Sequence, residues 1–202
     1  MNRVLRIDSS ITGDNSVSRQ LASELIERLS AKEGEEGITL VERDFAKQPI
    51  PHLDGERLGA LFVAAEARTP EQAEAVAFAD TLIEELVDAD TVVITLPMYN
   101  FSVPSMLKAW IDHVARAGVT FKYTESGVVG LLENKKVYLV SALGGIHEAG
   151  VTDFMRPYIK QVLGFLGITD VESISAEGLN MGDEARAEGL SKARSEIQQA
   201  VA

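Results

Sequence analysis

Short apolar runs alternate with longer stretches of helical periodicity along the whole chain. Val4-Leu5-Arg6-Ile7-Asp8 reads as a strand that breaks into a Ser-rich turn. From Ser18, apolar Leu21, Leu25, Ile26 and Leu29 recur at helical spacing. Ile38-Thr39-Leu40-Val41-Glu42 predicts a second strand, rich in β-branched residues. Phe45 to Arg68 holds Pro49, Pro51 and Gly55, and predicts only a short helix over Arg57 to Ala65. Thr69-Pro70-Glu71-Gln72 combines a capping Thr, a Pro at the first helical position and a Gln three residues past the cap, so a helix runs to about Val87.

Thr91 to Leu96 is apolar without alternation, as expected of a strand covered on both faces. Pro104 opens a helix to about Arg116, and Gly118 to Asn134 reads as irregular. Lys136 to Ser141 and Val171 to Ala176 are the fourth and fifth strands. Thr152 to Leu166 is helical, with Pro157 near its first turn, and Gly182 to Ala202 forms the closing helix. Five strands separated by helices predict a single α/β domain over 1–202, a five-stranded parallel sheet with helices on both faces. Ligands of such sheets sit beyond the carboxyl ends of the strands, where strand order reverses. The loops after strands one, three and four therefore carry the candidate chemistry.

Charge narrows the classes. The chain has 31 acidic and 19 basic residues, a formal charge of −12, which disfavours nucleic acid and anionic membranes as partners. It has no cysteine, so thiolate chemistry and disulfides are excluded. The N-terminus lacks the apolar core of a signal peptide, and no apolar run approaches the ~20 residues of a membrane span. The expected location is cytoplasmic.

The loop after strand one offers Ser9, Ser10, Thr12, Ser16 and Ser18 before a helix. Hydroxyls beside a helix N-terminus suit an anion such as phosphate; the bland alternative is a Ser-rich turn with Ser18 as helix cap. Only Arg19 is nearby, and both the lysine-dependent P-loop and G-x-G-x-x-G are absent. The loop after strand three, Pro97-Met98-Tyr99-Asn100-Phe101-Ser102-Val103-Pro104, sets two aromatics around an amide. It suits a wall for a flat ring, or simple packing over the sheet end. Gly144-Gly145 after strand four permits unusual backbone angles and close approach to a ligand, or makes a plain turn.

Other patterns carry little. Ser105-Met106-Leu107-Lys108 fits S-x-x-K without its companion motifs, and reads as an early helix turn. His52, His113 and His147 lack metal-ligand spacing, so no metal site is expected. A phospho-acceptor module would want carboxylates after strands one and three; Asp8 is present, but Leu96-Pro97-Met98 offers none.

Taken together, Ser9-Ser10 with Ser16 and Ser18, Met98-Tyr99-Asn100-Phe101, Ala115 to Phe121, Tyr123-Thr124 and Gly144-Gly145-Ile146-His147 resemble the FMN-dependent NADH-azoreductases, flavodoxin-like quinone and azo-dye reductases. The similarity runs over essentially the whole chain. It implies a flavodoxin-like fold, FMN as cofactor, NADH as co-substrate, quinone or azo acceptors and a homodimer. It also implies that Ser10, Ser16, Val17 and Ser18 hold the FMN phosphate, and that Met98, Tyr99, Asn100 and Phe101 border the ring. Ala142, Leu143, Gly144 and Gly145 would approach the ring's other polar edge. Phe121, Tyr123 and Phe165 are implied substrate-facing or gating aromatics. The family typically has Ser-Arg where this chain has Ala142-Leu143, and often Gln where it has Val17, so side-chain contacts there are replaced by apolar groups. The implied mechanism is ping-pong: hydride passes from NADH to flavin N5 and then to the acceptor, with no protein nucleophile. A flavodoxin-type electron carrier is the alternative on the same scaffold.

Overall fold

The computed structural model describes residues 2–202. Five parallel strands form one sheet in the order β2-β1-β3-β6-β7: β1 (Asn2–Asp8), β2 (Ile38–Asp44), β3 (Thr91–Pro97), β6 (Lys136–Ala142) and β7 (Asp170–Ala176). Six helices connect them: α1 (Val17–Glu33), α2 (Gly55–Ala60), α3 (Pro70–Asp88), α4 (Ser105–Val114), α5 (Met155–Leu166) and α6 (Asp183–Ala200).

Successive strand residues face opposite sides, so each strand feeds two cores. Leu5, Ile7, Val92, Ile94, Leu96, Val137 and Leu139 pack on one face with Leu82, Leu86, Trp110, Ile159 and Leu163 from α3, α4 and α5. Val4, Val93, Tyr138, Val140 and Ile174 pack on the other with Leu21, Leu25 and Leu29 of α1 and Ala193 and Ile197 of α6. Every residue of β3 is buried, which explains its unbroken apolar run. β2 is an edge strand with Leu40 and Val41 exposed. The Thr69 cap is a full capping box: its side chain accepts from Gln72 N–H while the Gln72 side chain accepts from Thr69 N–H.

Two sequence expectations need correction. Gly118 to Asn134 is not wholly irregular: Phe121–Thr124 (β4) pairs antiparallel with Gly127–Gly130 (β5). The connecting residues Glu125 and Ser126 lack the Asn-Gly or Gly signature of tight hairpins, so the sequence hid the turn. The short second helix runs from Gly55 to Ala60 rather than from Arg57 to Ala65: the Asp54 carboxylate accepts from Arg57 N–H and caps its start, and Ala65–Ala67 forms a separate 3-10 turn.

Strand order reverses between β1 and β3. The chain leaves both strands at the same rim, and the loop after β6 leaves beside them.

Candidate functional site

At the end of β1 the two serines divide their roles. Ser9 is fully buried and turned to the sheet: its N–H donates to Thr95 Oγ1 at 2.9 Å, and its hydroxyl to the Thr95 carbonyl. Ser10 is equally buried but turns to the neighbouring loops, with its Oγ 3.1 Å from Thr12 Oγ1 and 3.3 Å from the Tyr99 hydroxyl. Ser16, not Ser18, caps α1: its Oγ accepts from Arg19 N–H, and the Ser18 Oγ lies 3.0 Å from it. Ser18 falls inside the first turn, so it is no cap. Val17 packs its side chain on the core of that face and offers only its backbone to the loop. First-turn N–H groups such as those of Val17 and Ser18 have no intrahelical acceptor, which makes this end of α1 electropositive.

The loop after β3 is a tight reversal. Tyr99 and Ser102 exchange N–H···O bonds of 3.0 and 3.1 Å, with Asn100 at φ 50° and Phe101 at φ 66° between them. Both central residues are left-handed, as in hairpin turns normally filled by Asn-Gly. Asn tolerates this conformation; Phe does so at a cost. The outcome is a projecting Phe101 ring, 59% exposed. Met98 lies half-buried against the core, and its N–H donates to the Ala142 carbonyl at 3.1 Å. Tyr99 closes the gap to the serine loop, since Ile11 N–H donates to its hydroxyl at 3.3 Å.

The glycine loop is held from below. Leu143 is buried, its N–H bound to the Ala176 carbonyl and its own carbonyl accepting from Leu179 N–H. It therefore supports the loop and leaves its N–H no freedom for a ligand. The Gly144 and Gly145 carbonyls accept from Asn180 and Gly178 N–H at 2.8 and 3.0 Å, while their own N–H groups find no acceptor among the described residues. Neither glycine has a positive φ, contrary to the reading of unusual backbone angles. A Cβ on Gly144 would lie 2.7 Å from Asn180 Nδ2, and one on Gly145 would lie 3.1 Å from His147 Nε2, so a side chain at either would have to displace the tip of a neighbouring side chain.

His147 closes the Gly144-Gly145-Ile146-His147 run, where the sequence assigned it no individual role. Its ring meets Phe101 edge-on with centroids 6.0 Å apart, so it joins the glycine loop to the aromatic turn. Its place just after the glycine pair is the signal for this in the sequence. Beneath it, Arg156 donates to the His147 carbonyl and to Ser175 Oγ, and pairs with Asp153 and Glu177.

The nearby cation is also not where a ligand would use it. Arg19 is buried and gripped by Asp44, with Asp8 3.6 Å away. The Arg19 fork holds the Asp44 carboxyl down to about 2, whereas burial pushes Asp8 up against the opposing pull of Arg6 and Arg19.

Phe121, Tyr123 and Phe165 do come together: Phe121 lies 5.6 Å from Tyr123 and 4.5 Å from Phe165, centroid to centroid. They are not brought to the three loops. Phe165 ends α5, which starts at the loop rim and descends for 12 residues, about 18 Å at the helical rise. The cluster thus lies toward the amino-end side of the sheet, away from the three loops of its own chain. Phe121 is core, whereas Tyr123 is 74% exposed.

FMN fits the rim on these observations. A phosphate would meet the Ser10, Ser16 and Ser18 hydroxyls and the start of α1, neutral donors throughout. A flat ring would lie between the Tyr99–Phe101 turn and the N–H groups of Gly144 and Gly145, backed by half-buried and exposed aromatics.

Known proteins agree with this architecture. The family defined by the flavodoxin-like fold matches residues 2–201. A protein of Herminiimonas arsenicoxydans named FMN-dependent NADH:quinone oxidoreductase is 50% identical over 202 residues, covering 98% of each chain. One of the same name from Alcanivorax borkumensis is 51% identical, covering 96% of this chain and 97% of its own. Among solved structures, an azoreductase from Bacillus anthracis str. Sterne superposes with a TM-score of 0.84 at 32% identity, covering 100% and 99% of the two chains. An FMN-dependent NADH-azoreductase from Bacillus anthracis str. Ames Ancestor, in complex with FMN, gives 0.88 at 28% identity over 100% and 98%. The chain belongs to the flavodoxin-like family, among the FMN-dependent NADH:quinone oxidoreductases and azoreductases.

Proposed function

We propose that this protein is an FMN-dependent NADH:quinone oxidoreductase that also reduces azo compounds. The observation that carries the reading is the Tyr99 hydroxyl at 3.3 Å from both Ser10 Oγ and Ile11 N, which joins the phosphate-type loop to the ring-type turn at the strand-order reversal. Bound FMN supplies the two-electron redox chemistry, taking hydride from NADH and passing electrons to the acceptor. The chain supplies position. Ser10, Ser16, Ser18 and the backbone of Val17 hold the phosphate. Met98, Tyr99, Asn100 and Phe101 wall the ring, and the N–H groups of Gly144 and Gly145 face its polar edge, with Ala142 and Leu143 carrying that loop. With no side-chain cation at 142–143, negative charge on a bound ring would meet the Gly144 and Gly145 backbone dipoles there.

In this reading residues 1–202 form one FMN-binding domain that works as a cytoplasmic homodimer. Phe121, Tyr123 and Phe165 then face substrate only from a second copy, since their own loops lie a sheet length away. No helix among the described residues is long and apolar enough to cross a membrane, and none of their His or carboxylate groups cluster as a metal site.

The test is a visible spectrum of the purified protein, followed by anaerobic NADH. The expected result is a flavin spectrum that bleaches, then recovers on adding a quinone or azo dye, with parallel-line initial-rate kinetics. A flavin that resists NADH and turns over no organic acceptor would instead mark an electron carrier. Protein that stays colourless with added FMN would overturn the reading.

A further inference from the structure

Arg19 lies in the first turn of α1, yet its guanidinium points away from the rim and under the serine loop. It is 7% exposed. Nη2 donates to the Ser10 carbonyl at 2.6 Å. Nη1 and Nη2 together grip the Asp44 carboxylate at 2.8 and 2.6 Å. Asp44 ends β2, and its Oδ1 also accepts from Ala46 N–H, so its position is fixed independently. One guanidinium thus ties the ends of β1 and β2 to the start of α1.

The same peptide fixes where the Ser10 hydroxyl lies. Its carbonyl is held by Arg19 below, while its side chain faces Thr12 and Tyr99 above. A rotation of that peptide would swing the hydroxyl. We propose that Arg19, clamped by Asp44, is a positioning residue for the anion-binding loop: it sets the Ser10 peptide, and through it the hydroxyl offered to the FMN phosphate, by geometry rather than by its charge. The proposal rests on the FMN reading above.

Charge is the weaker explanation on the page. Arg6 and Arg19 are matched locally by Asp8 and Asp44, with Arg6 Nε 2.9 Å from Asp8. The surrounding cavity adds Asp14, Glu42 and Lys47. The cluster therefore has little positive charge left for a dianion. Planar two-pronged pairing is also a property of arginine that lysine lacks.

The two explanations predict opposite signs. If charge governed, Asp44→Asn would remove a repelling carboxylate and tighten FMN binding, and Arg19→Lys would change little. If geometry governs, both variants loosen the fork and weaken FMN by about tenfold, the usual scale for a lost charge-assisted bond. The double variant is no worse than the weaker-binding single one. Riboflavin, which lacks the phosphate, binds all forms alike.

The measurement is titration of flavin-stripped, full-length protein with FMN and with riboflavin, following flavin fluorescence. Unchanged FMN affinity in Arg19→Lys, tighter FMN in Asp44→Asn, or equal losses for FMN and riboflavin would each overturn the proposal. Should Arg19→Lys fail to fold, the sign of the Asp44→Asn effect decides alone. Wild-type protein that ignores FMN would remove the FMN reading and this one together, whereas variants indistinguishable from an FMN-binding wild type remove only this one.

Discussion

The hydroxyl of Tyr99 accepts a hydrogen bond from Ile11 N–H at 3.3 Å and lies 3.3 Å from Ser10 Oγ. A residue from the end of β3 thereby latches the loop that leaves β1. Tyr99→Phe keeps the ring and removes the latch. One such hydrogen bond contributes about 1 kcal/mol, so FMN affinity should fall roughly fivefold while the ring wall remains. Fluorescence titration checks this; an unchanged dissociation constant would show that the latch does not shape the site.

The left-handed pair Asn100-Phe101 makes a second prediction. Phe101 at φ 66° is held by the Tyr99–Ser102 bonds on either side. A β-branched residue there should destabilise the fold by about 1–2 kcal/mol more than Phe does. Glycine tolerates the angle, so Phe101→Gly should melt no lower than Phe101→Val, although it loses the contact with His147. Thermal denaturation of the two variants gives the order, and a higher melting temperature for the Val variant would refute the turn geometry.

Asn100→Ala is expected to weaken FMN retention or slow flavin reduction. Its side chain is exposed, but the residue sits in the left-handed turn at φ 50°, so Ala there should also cost about 1–2 kcal/mol of stability. Stopped-flow bleaching by NADH reads the rate; identical titration and identical bleaching would remove Asn100 from the site.

Gly130 marks where the hairpin meets the end of α5. A Cβ there would stand 2.1 Å from Gly167 N and 2.2 Å from Leu166 C, both backbone atoms that cannot step aside cheaply. Gly130→Ala should cost about 1–3 kcal/mol or more, equivalent to a drop of several degrees in a chain of this size. An unaltered melting temperature would mean that the hairpin does not dock there.

Acid sensitivity should trace to Asp44, whose carboxyl is held at about 2 against an ordinary 3.8 by the Arg19 fork. A lowered folded-state value contributes stability that is complete above the unfolded value and disappears as pH falls through the folded one. The loss therefore falls between about 3.8 and about 2. Asp8 works in the opposite direction, because burial raises its value and its protonation favours the fold in acid. Arg6, Arg19, Lys47 and Asp14 complete the charged surroundings and are set against both. Subtracting the melting profile of Asp44→Asn from that of wild type isolates the step. The difference should shrink toward zero at the acid end, and a difference independent of pH would break the assignment.

The sequence alone determined the α/β alternation, the two-faced sheet and the three loops that matter, because these follow from local signals: β-branched runs, helical periodicity, a capping box and hydroxyls before a helix. The family resemblance named the loop residues on similar local grounds. Tertiary structure decided the rest. Which serine is tied to the sheet depends on Thr95, 86 residues from Ser9. The buried fate of Arg19 depends on Asp44, a strand away, and the seating of the glycine pair depends on the backbone of Gly178 and Asn180 that binds its carbonyls. The hairpin was hidden because its turn carries no glycine at its centre, and the grouping of Phe121 with Phe165 was hidden because helix α5 separates Phe165 from the loop after β6. Each of these is set by packing between distant segments, which no local pattern encodes.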